Sequence, residues 1–234
     1  MNIAKRIGIT LTLAAAAFAL SILPGRLGVM AEDGWTLDGD VSWRESYPMN
    51  GQNDYLQDQQ TGANTVSQDL VGNATYPSVY MHFTSTDLSF RTRVNDIDGG
   101  TDPSSFEYKN FIFAGVDADL NGSIDFFLGI YNPSGSNGRL GIYQSYPSYT
   151  NEGPSSTGID GKPLIAYQPQ RGVNYTIKQA DSSFDGDPDY FVSFTFPVAD
   201  LQKAFAMKGI DFDASTPFRF MTGTASQDNS FNQD

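Results

Sequence analysis

The sequence predicts an all-β fold: an antiparallel β-sandwich, jelly-roll-like, with one short helix near the C-terminus. The 23 Gly and 12 Pro divide the chain into short segments, and the 17 Phe and 12 Tyr gather inside those segments. Aromatic residues favour strands, whereas Gly and Pro favour the turns between them. A chain of 234 residues, less a removable N-terminal segment, suits one sandwich domain over residues 32–234.

Alternation of apolar and polar residues identifies the strands. In residues 190–196, Val192 and Phe194 face one way and Ser193 the other, as a half-buried strand requires. In residues 88–94 the same alternation directs Phe90 inward and Arg91 and Arg93 outward. The predicted strands are residues 35–43, 79–84, 88–94, 110–116, 125–131, 140–144, 164–167, 175–179, 190–196 and 218–224.

One helix is predicted over residues 198–208. Pro197 precedes it and Gly209 follows it, which is the usual placement of these residues at helix ends. Val198, Leu201 and Phe205 form its apolar stripe, so we expect it to cover one edge of the sandwich. Residues 47–76 and 147–162 lack apolar periodicity and are predicted as long loops.

The N-terminus predicts export. Lys5 and Arg6 precede an apolar run over residues 7–23, and small residues follow before Glu32, the layout of a secretory signal cleaved after Ala31. Because the run is short and Pro24 interrupts it, a membrane anchor is the weaker interpretation. The expected locations are therefore the extracellular medium, the periplasm or the cell surface, with no membrane span after cleavage.

The charge excludes some partners. The net charge is −13, and cleavage after residue 31 would remove three basic residues and no acidic one. A chain this acidic is repelled by nucleic acids and by anionic membrane surfaces, so neither is expected as a partner. The chain has no cysteine, so an exported domain must be stabilised without disulfides, and a bound metal is one substitute.

The strongest functional motif lies between the predicted strands 110–116 and 125–131. Oxygen-bearing side chains occupy loop positions 1, 3, 5 and 9, and a glycine at position 6 allows a sharp turn, as in loops that wrap a calcium ion. The predicted ligands are the side chains of Asp117, Asp119, Asn121 and Asp125 and the carbonyl of Ser123. The alternative is an acidic tight turn at Asn121 and Gly122 that holds no metal.

Calcium is thus the predicted cofactor. A helix-loop-helix calcium site would need a glutamate at position 12, where this chain has Leu128. The loop and the following Phe126-Phe127-Leu128-Gly129 are similar to the calcium loops of FG-GAP repeats in integrin-type propellers, which lie in hairpins and also lack that glutamate. The resemblance covers about fourteen residues, so it implies the metal role and not the propeller.

Other polar clusters are interpreted as structural. The acidic residues of segments 181–189 and 96–102 are expected to lie in solvated turns, with a metal site as the minor alternative. His82 is expected to be a partly exposed strand residue. One histidine, no cysteine and four scattered glutamates support neither a zinc site nor a nucleophilic triad. No catalytic residue is predicted, and the chain is not expected to be an enzyme.

Tyrosines near residue 146 predict a ligand platform. Tyr143, Tyr146 and Tyr149 run from a predicted strand into a loop rich in Pro and Ser, where exposed rings can stack on the flat faces of sugars. The competing interpretation is the ordinary use of tyrosine in β-sheet cores.

Three motifs, taken in order, resemble the carbohydrate-binding-module family 9 and DOMON-type β-sandwiches. They are Trp35-Thr-Leu-Asp38-Gly39-Asp40, the strand of residues 189–196 followed by Pro197 and the helix, and Thr216-Pro217-Phe218-Arg219-Phe220. The resemblance implies a ligand-binding sandwich, often supported by calcium. Haem binding, known in some DOMON members, is not implied, because Met81 and His82 are adjacent and so lie on opposite faces of a strand.

Together these patterns predict an exported, calcium-stabilised β-sandwich that binds a glycan or another surface polymer. The alternative is a structural or self-assembling surface protein whose acidic loops bridge subunits through calcium. A polysaccharide hydrolase is a third and weaker possibility.

Overall fold

A computed structural model describes residues 36–37, 39, 43–46, 66–97, 108, 110–132, 138–146, 148–149 and 156–226. The predicted signal peptide, residues 1–31, lies outside the described residues, as does most of the predicted loop 47–76. Of the predicted first strand, residues 36–37, 39 and 43 are described, and none of these four belongs to a strand.

The described residues form two five-stranded sheets, and all neighbouring strands are antiparallel. The first sheet has the order β1-β2-β3-β9-β8, with β1 Arg44–Ser46, β2 Val79–Phe83, β3 Asp87–Val94, β8 Tyr175–Gln179 and β9 Tyr190–Pro197. The second has the order β10-β4-β5-β6-β7, with β4 Phe111–Asp117, β5 Phe126–Tyr131, β6 Arg139–Ser145, β7 Ile159–Tyr167 and β10 Arg219–Ala225. The predicted all-β antiparallel sandwich is confirmed.

The main core lies between the two sheets. From the first sheet it receives alternate residues such as Phe90 and Phe194, and from the second it receives Ile112 and Leu128, all fully buried. Phe90 also packs against Phe220 of β10, with ring centroids 5.2 Å apart. The inward residues predicted from alternation are therefore the ones that form the core.

The helix α1, Val198–Ala206, follows β9 directly, as predicted. Its buried residues are Val198, Leu201, Ala204 and Phe205, and Gly209 beyond it has φ +75°, a backbone angle that glycine tolerates best. Phe205 packs edge to face on Phe126 of β5, with centroids 5.0 Å apart. The end of α1 therefore lies next to the start of β5.

The outer face of the first sheet differs from the prediction. Arg91 and Arg93 point away from the core, as expected, but they are only 2% and 1% exposed, because aromatic side chains and Asp189 pack around them. His82 points to the same side and is 5% exposed, with Trp43 edge to face at 6.2 Å. The predicted outward direction of the two arginines is therefore confirmed, although their face of the sheet is covered, whereas the expectation of a partly exposed His82 was wrong.

The outer face of the second sheet is also buried. Phe111, Phe113, Phe127 and Tyr143 form a second apolar cluster on this side. Gly129 lies between them, and a Cβ there would come within 2.1 Å of the Ile112 carbonyl oxygen, so no larger residue fits. The predicted loop 147–162 ends earlier than expected, because β7 begins at Ile159.

Candidate metal centre

The candidate site is the loop that joins β4 to β5. Val116 pairs with Phe126 across the hairpin, and the Asp125 N–H donates to the Val116 carbonyl at 2.8 Å. Asp117 is the last residue of β4, and Asp125 immediately precedes β5. The hairpin therefore fixes the two ends of the acidic segment side by side.

Backbone conformation and short-range hydrogen bonds curl the loop inward. Leu120 has φ 61° and Gly122 has φ 93°, both in the left-handed region. The Asn121 N–H donates to Asp119 Oδ1 at 3.0 Å, and the Gly122 N–H donates to Asp117 Oδ2 at 3.0 Å. These bonds turn the chain so that its carboxylates face a common centre.

Three of the five predicted ligands converge. Asp117, Asp119 and Asp125 each offer a carboxylate oxygen, and these oxygens lie within 4.8 Å of one another. Asp117 and Asp125 are 3% and 4% exposed, whereas Asp119 is exposed. Two unit charges at this separation repel by about 3 kcal/mol at an effective dielectric constant of about 20, so the cluster favours a bound cation.

An unpaired acceptor supports the same conclusion. Asp117 Oδ1 is buried and has no hydrogen-bond partner in the described structure, although Asp117 Oδ2 accepts from Gly122. A buried acceptor without a partner costs about 1–3 kcal/mol, more if it is charged. Carboxylate oxygens in an irregular loop are the donor set of calcium, so the residues present fit this ion.

A fourth predicted ligand, Asn121, is engaged within the loop. Asn121 Nδ2 donates to Asp119 Oδ2 at 2.8 Å, and Asn121 Oδ1 accepts from the Ser123 N–H at 2.7 Å. The Asn121 side chain thus braces Asp119. Leu128, at the position of the missing glutamate, is fully buried in the core and offers no ligand.

A lysine that the sequence reasoning missed lies beside the site. Lys208 Nζ is 3.4 Å from Asp125 Oδ1 and 5.0 Å from the centroid of the Phe126 ring. Arg219 is the register partner of Asp117 across β10 and β4, yet it forms no ion pair in the described structure. Lys208 therefore partly neutralises one carboxylate, and no other described residue forms an ion pair with the remaining two. Its position shortly after α1 was the available signal.

The predicted tyrosine platform is only partly assembled. Tyr146 is 41% exposed, and its ring centroid lies 5.0 Å from that of half-buried Tyr149. Tyr143 is fully buried in the second apolar cluster, and burial raises the pKa of its hydroxyl above the ordinary value. Tyr143 cannot stack on a ligand, so its inclusion in the platform was wrong; it packs with Phe113 because it points outward from β6 onto a covered face.

The described residues of the other acidic clusters do not gather carboxylates in this way. In segment 181–189, Asp181, Asp185 and Asp187 are exposed as predicted, but Asp189 is fully buried against Arg93. In segment 96–102, Asp96 is half-buried, while residues 98–102 lie outside the described residues. Among the described residues, the Asp117 loop holds the one group of three such side chains close enough to share an ion.

The described part of the chain contains no helix with the length and hydropathy needed to cross a membrane. Comparison with known proteins adds no relative: no protein-family model, no curated protein and no solved structure matches this chain.

Proposed function

We propose that the Asp117–Asp125 loop binds one calcium ion, and that the chain is an exported, calcium-stabilised β-sandwich that binds a glycan or surface polymer. The observation that carries the metal proposal is the convergence of three carboxylates around a loop in which Asp117 Oδ1 is buried and unpaired. The glycan proposal rests on the sandwich fold and on the tyrosine pair formed by exposed Tyr146 and half-buried Tyr149.

Calcium fits this loop better than zinc or magnesium does. Zinc prefers histidine and cysteine, but the chain has no cysteine, and its one histidine, His82, packs against Trp43 on the first sheet. Magnesium requires near-ideal octahedral geometry and usually keeps several waters. Calcium accepts six to eight oxygen ligands in irregular arrangements, so water and loop carbonyls can complete a shell that three carboxylates begin.

The ion would act mainly on stability. It would tie the end of β4 to the start of β5 in a chain without disulfides, and it would relieve the repulsion among the three carboxylates. An ion that binds the folded state alone stabilises it by about 2.7 kcal/mol at a concentration of about 100 times Kd.

The second candidate function is calcium-bridged assembly of a surface protein. It is favoured by the tip of the loop, where Asp119 and Asn121 are exposed and Leu120 is 39% exposed. A second copy could therefore reach the ion from the solvent side. Sedimentation with and without calcium separates the two candidates, since only the assembly protein would become oligomeric when calcium is added.

Thermal melting across a calcium titration tests the metal site. Calcium at about 100 times Kd should stabilise the wild type by about 2.7 kcal/mol. In a domain of this size each kcal/mol raises the melting temperature by about 2–4 °C, so the expected gain is roughly 5–10 °C. Asp117→Asn should lose this gain, whereas Asp187→Asn, which removes an exposed carboxylate from the other acidic loop, should keep it. Equal melting temperatures with calcium and with chelator would overturn the proposal.

A further inference from the structure

The outer face of the first sheet carries a cavity of about 240 Å³ that the sequence reasoning did not anticipate. Glu45, Tyr80 and Arg91 are register partners on β1, β2 and β3, so they form one row across this face. Trp43 and Phe191 add aromatic rings to the lining, and Asp181 borders it from the loop after β8.

The floor of the cavity is held rigidly by Arg91. Its guanidinium carbon lies 4.4 Å from the centroid of the Trp43 ring and 5.0 Å from that of Phe191. Arg91 Nε donates to Ser193 Oγ at 3.1 Å, and Nη2 donates to the Gly39 carbonyl at 2.6 Å. The Trp43 indole N–H donates to the same carbonyl at 3.1 Å, so the ring orientation is set before any ligand arrives.

Arg93 supplies a second fixed group. Its Nε and Nη2 donate to Asp189 Oδ2 at 2.9 Å and 2.5 Å, and Nη2 also donates to the Ser182 carbonyl at 2.8 Å. None of these bonds comes from Nη1, although Arg93 lines the cavity and is 1% exposed. Arg93 therefore forms part of the fixed floor beneath the cavity.

We propose that this cavity binds one ring of a neutral saccharide, an inference that rests on the glycan-binding function proposed above. Aromatic rings such as Trp43 and Tyr80 offer flat faces to the apolar side of a sugar ring. The exposed carboxylates of Glu45 and Asp181 can accept hydrogen bonds from its hydroxyls, above a floor that the buried Arg91 and Arg93 hold in place. The volume is below the roughly 300–1,000 Å³ of pockets for drug-sized ligands, so one ring is the appropriate size.

Charge selects a neutral ligand over the alternatives. A cation would meet rings that already pack against guanidinium groups. An anion would meet the exposed carboxylates of Glu45 and Asp181, while Asp189 already neutralises Arg93. An uncharged polyhydroxylated ring can donate hydrogen bonds to these carboxylates without adding a net charge to the site.

The test uses affinity electrophoresis of the full mature chain through gels that contain soluble polysaccharide. The neutral probes are xylan, laminarin and hydroxyethyl cellulose, and alginate is the anionic probe. At least one neutral probe should retard the wild type, and alginate should not. Trp43→Phe, which keeps a ring on Arg91, and Asp181→Asn should each weaken the retardation by at least threefold, whereas Asp187→Asn in the same loop as Asp181 should leave it unchanged.

Each result separates the cavity from the wider function. Retardation that survives Trp43→Phe and Asp181→Asn but is lost in Tyr146→Ala would overturn the proposal that the cavity binds the sugar. It would show that the sugar binds at the tyrosine pair. Retardation by alginate alone would overturn the neutral ligand class. If no probe retards the wild type, both glycan binding by the chain and saccharide binding in the cavity are wrong. The metal site is tested separately, by the calcium dependence of the melting temperature. Unchanged melting of the two variants shows that they remain folded.

Discussion

Two acidic loops of similar sequence differ in how their carboxylates are arranged and neutralised. The Asp117–Asp125 loop precedes β5 and the Asp181–Asp189 loop precedes β9, and each leads into an aromatic strand. The first brings three carboxylates together beside a single, partly exposed lysine. The second leaves three carboxylates in solvent and buries the fourth, Asp189, against Arg93.

The difference depends on whether a basic side chain of the neighbouring strand reaches the acidic residues of the loop. Arg93 on β3 lies opposite Phe191 of β9, so its side chain reaches back to Asp189 at the start of that strand. Arg219 on β10 lies opposite Asp117 but makes no ion pair there in the described structure. The Asp181–Asp189 loop thus has a buried cation supplied by the fold, whereas Lys208 is the one cation that the described residues place beside the Asp117–Asp125 loop.

The largest predicted effect comes from removing the built-in cation. Arg93→Met should lower the free energy of unfolding by about 3–5 kcal/mol, because it leaves Asp189 buried without a partner, and burial already raises the pKa of this carboxyl. Urea denaturation in chelator measures the loss without a contribution from bound metal. The double variant Arg93→Met/Asp189→Leu should recover most of it. A double variant as unstable as the single one would mean that packing around Arg93, and not charge, sets the cost.

Much of the fold could be predicted from alternation and turn residues. The segments that became β8 and β9, the helix after Pro197 and the hairpin at Asn121–Gly122 all carry strong local signals, because their side chains repeat with the period of the element. The inward residues of β3 were found for the same reason.

The burial of the outer faces could not be predicted in this way. Alternation says which side of a strand a residue occupies, but not whether other chain segments cover that side. Arg91 was predicted to point outward, His82 to be partly exposed and Tyr143 to contact a ligand, and each is buried beneath aromatic neighbours. Lys208 was missed because its contact with Asp125 joins residues 83 positions apart.

A smaller effect should follow from removing the lysine beside the first loop. Lys208→Gln should tighten calcium binding by roughly two- to tenfold, because a positive charge 3.4 Å from Asp125 Oδ1 opposes the ion, while solvent screens a side chain that is 36% exposed. Isothermal titration calorimetry measures the affinity. Lys203→Gln is the matched control, since Lys203 lies in α1, shortly before Lys208, but pairs with Asp200. Unchanged or weaker binding in Lys208→Gln would show that the lysine supports the site and does not compete with the ion.

The smallest effect is expected from breaking the exposed ion pair between Lys203 and Asp200. Lys203 Nζ lies 2.7 Å from Asp200 Oδ1, and this contact holds the pKa of Asp200 below its ordinary value, assisted by Tyr167. A lowered pKa in the folded state means that the stabilisation is present above about pH 4 and is lost as the pH falls towards the folded-state value.

Lys203→Gln should therefore cost only about 0.3–0.5 kcal/mol at neutral pH, since the lysine side chain is 70% exposed. The difference should shrink in urea melts as the pH falls below about 4, and Lys203→Arg should retain the wild-type profile because it keeps the cation. A loss as large as that of Arg93→Met would contradict the view that burial, and not pairing alone, makes a carboxylate–cation contact costly to break.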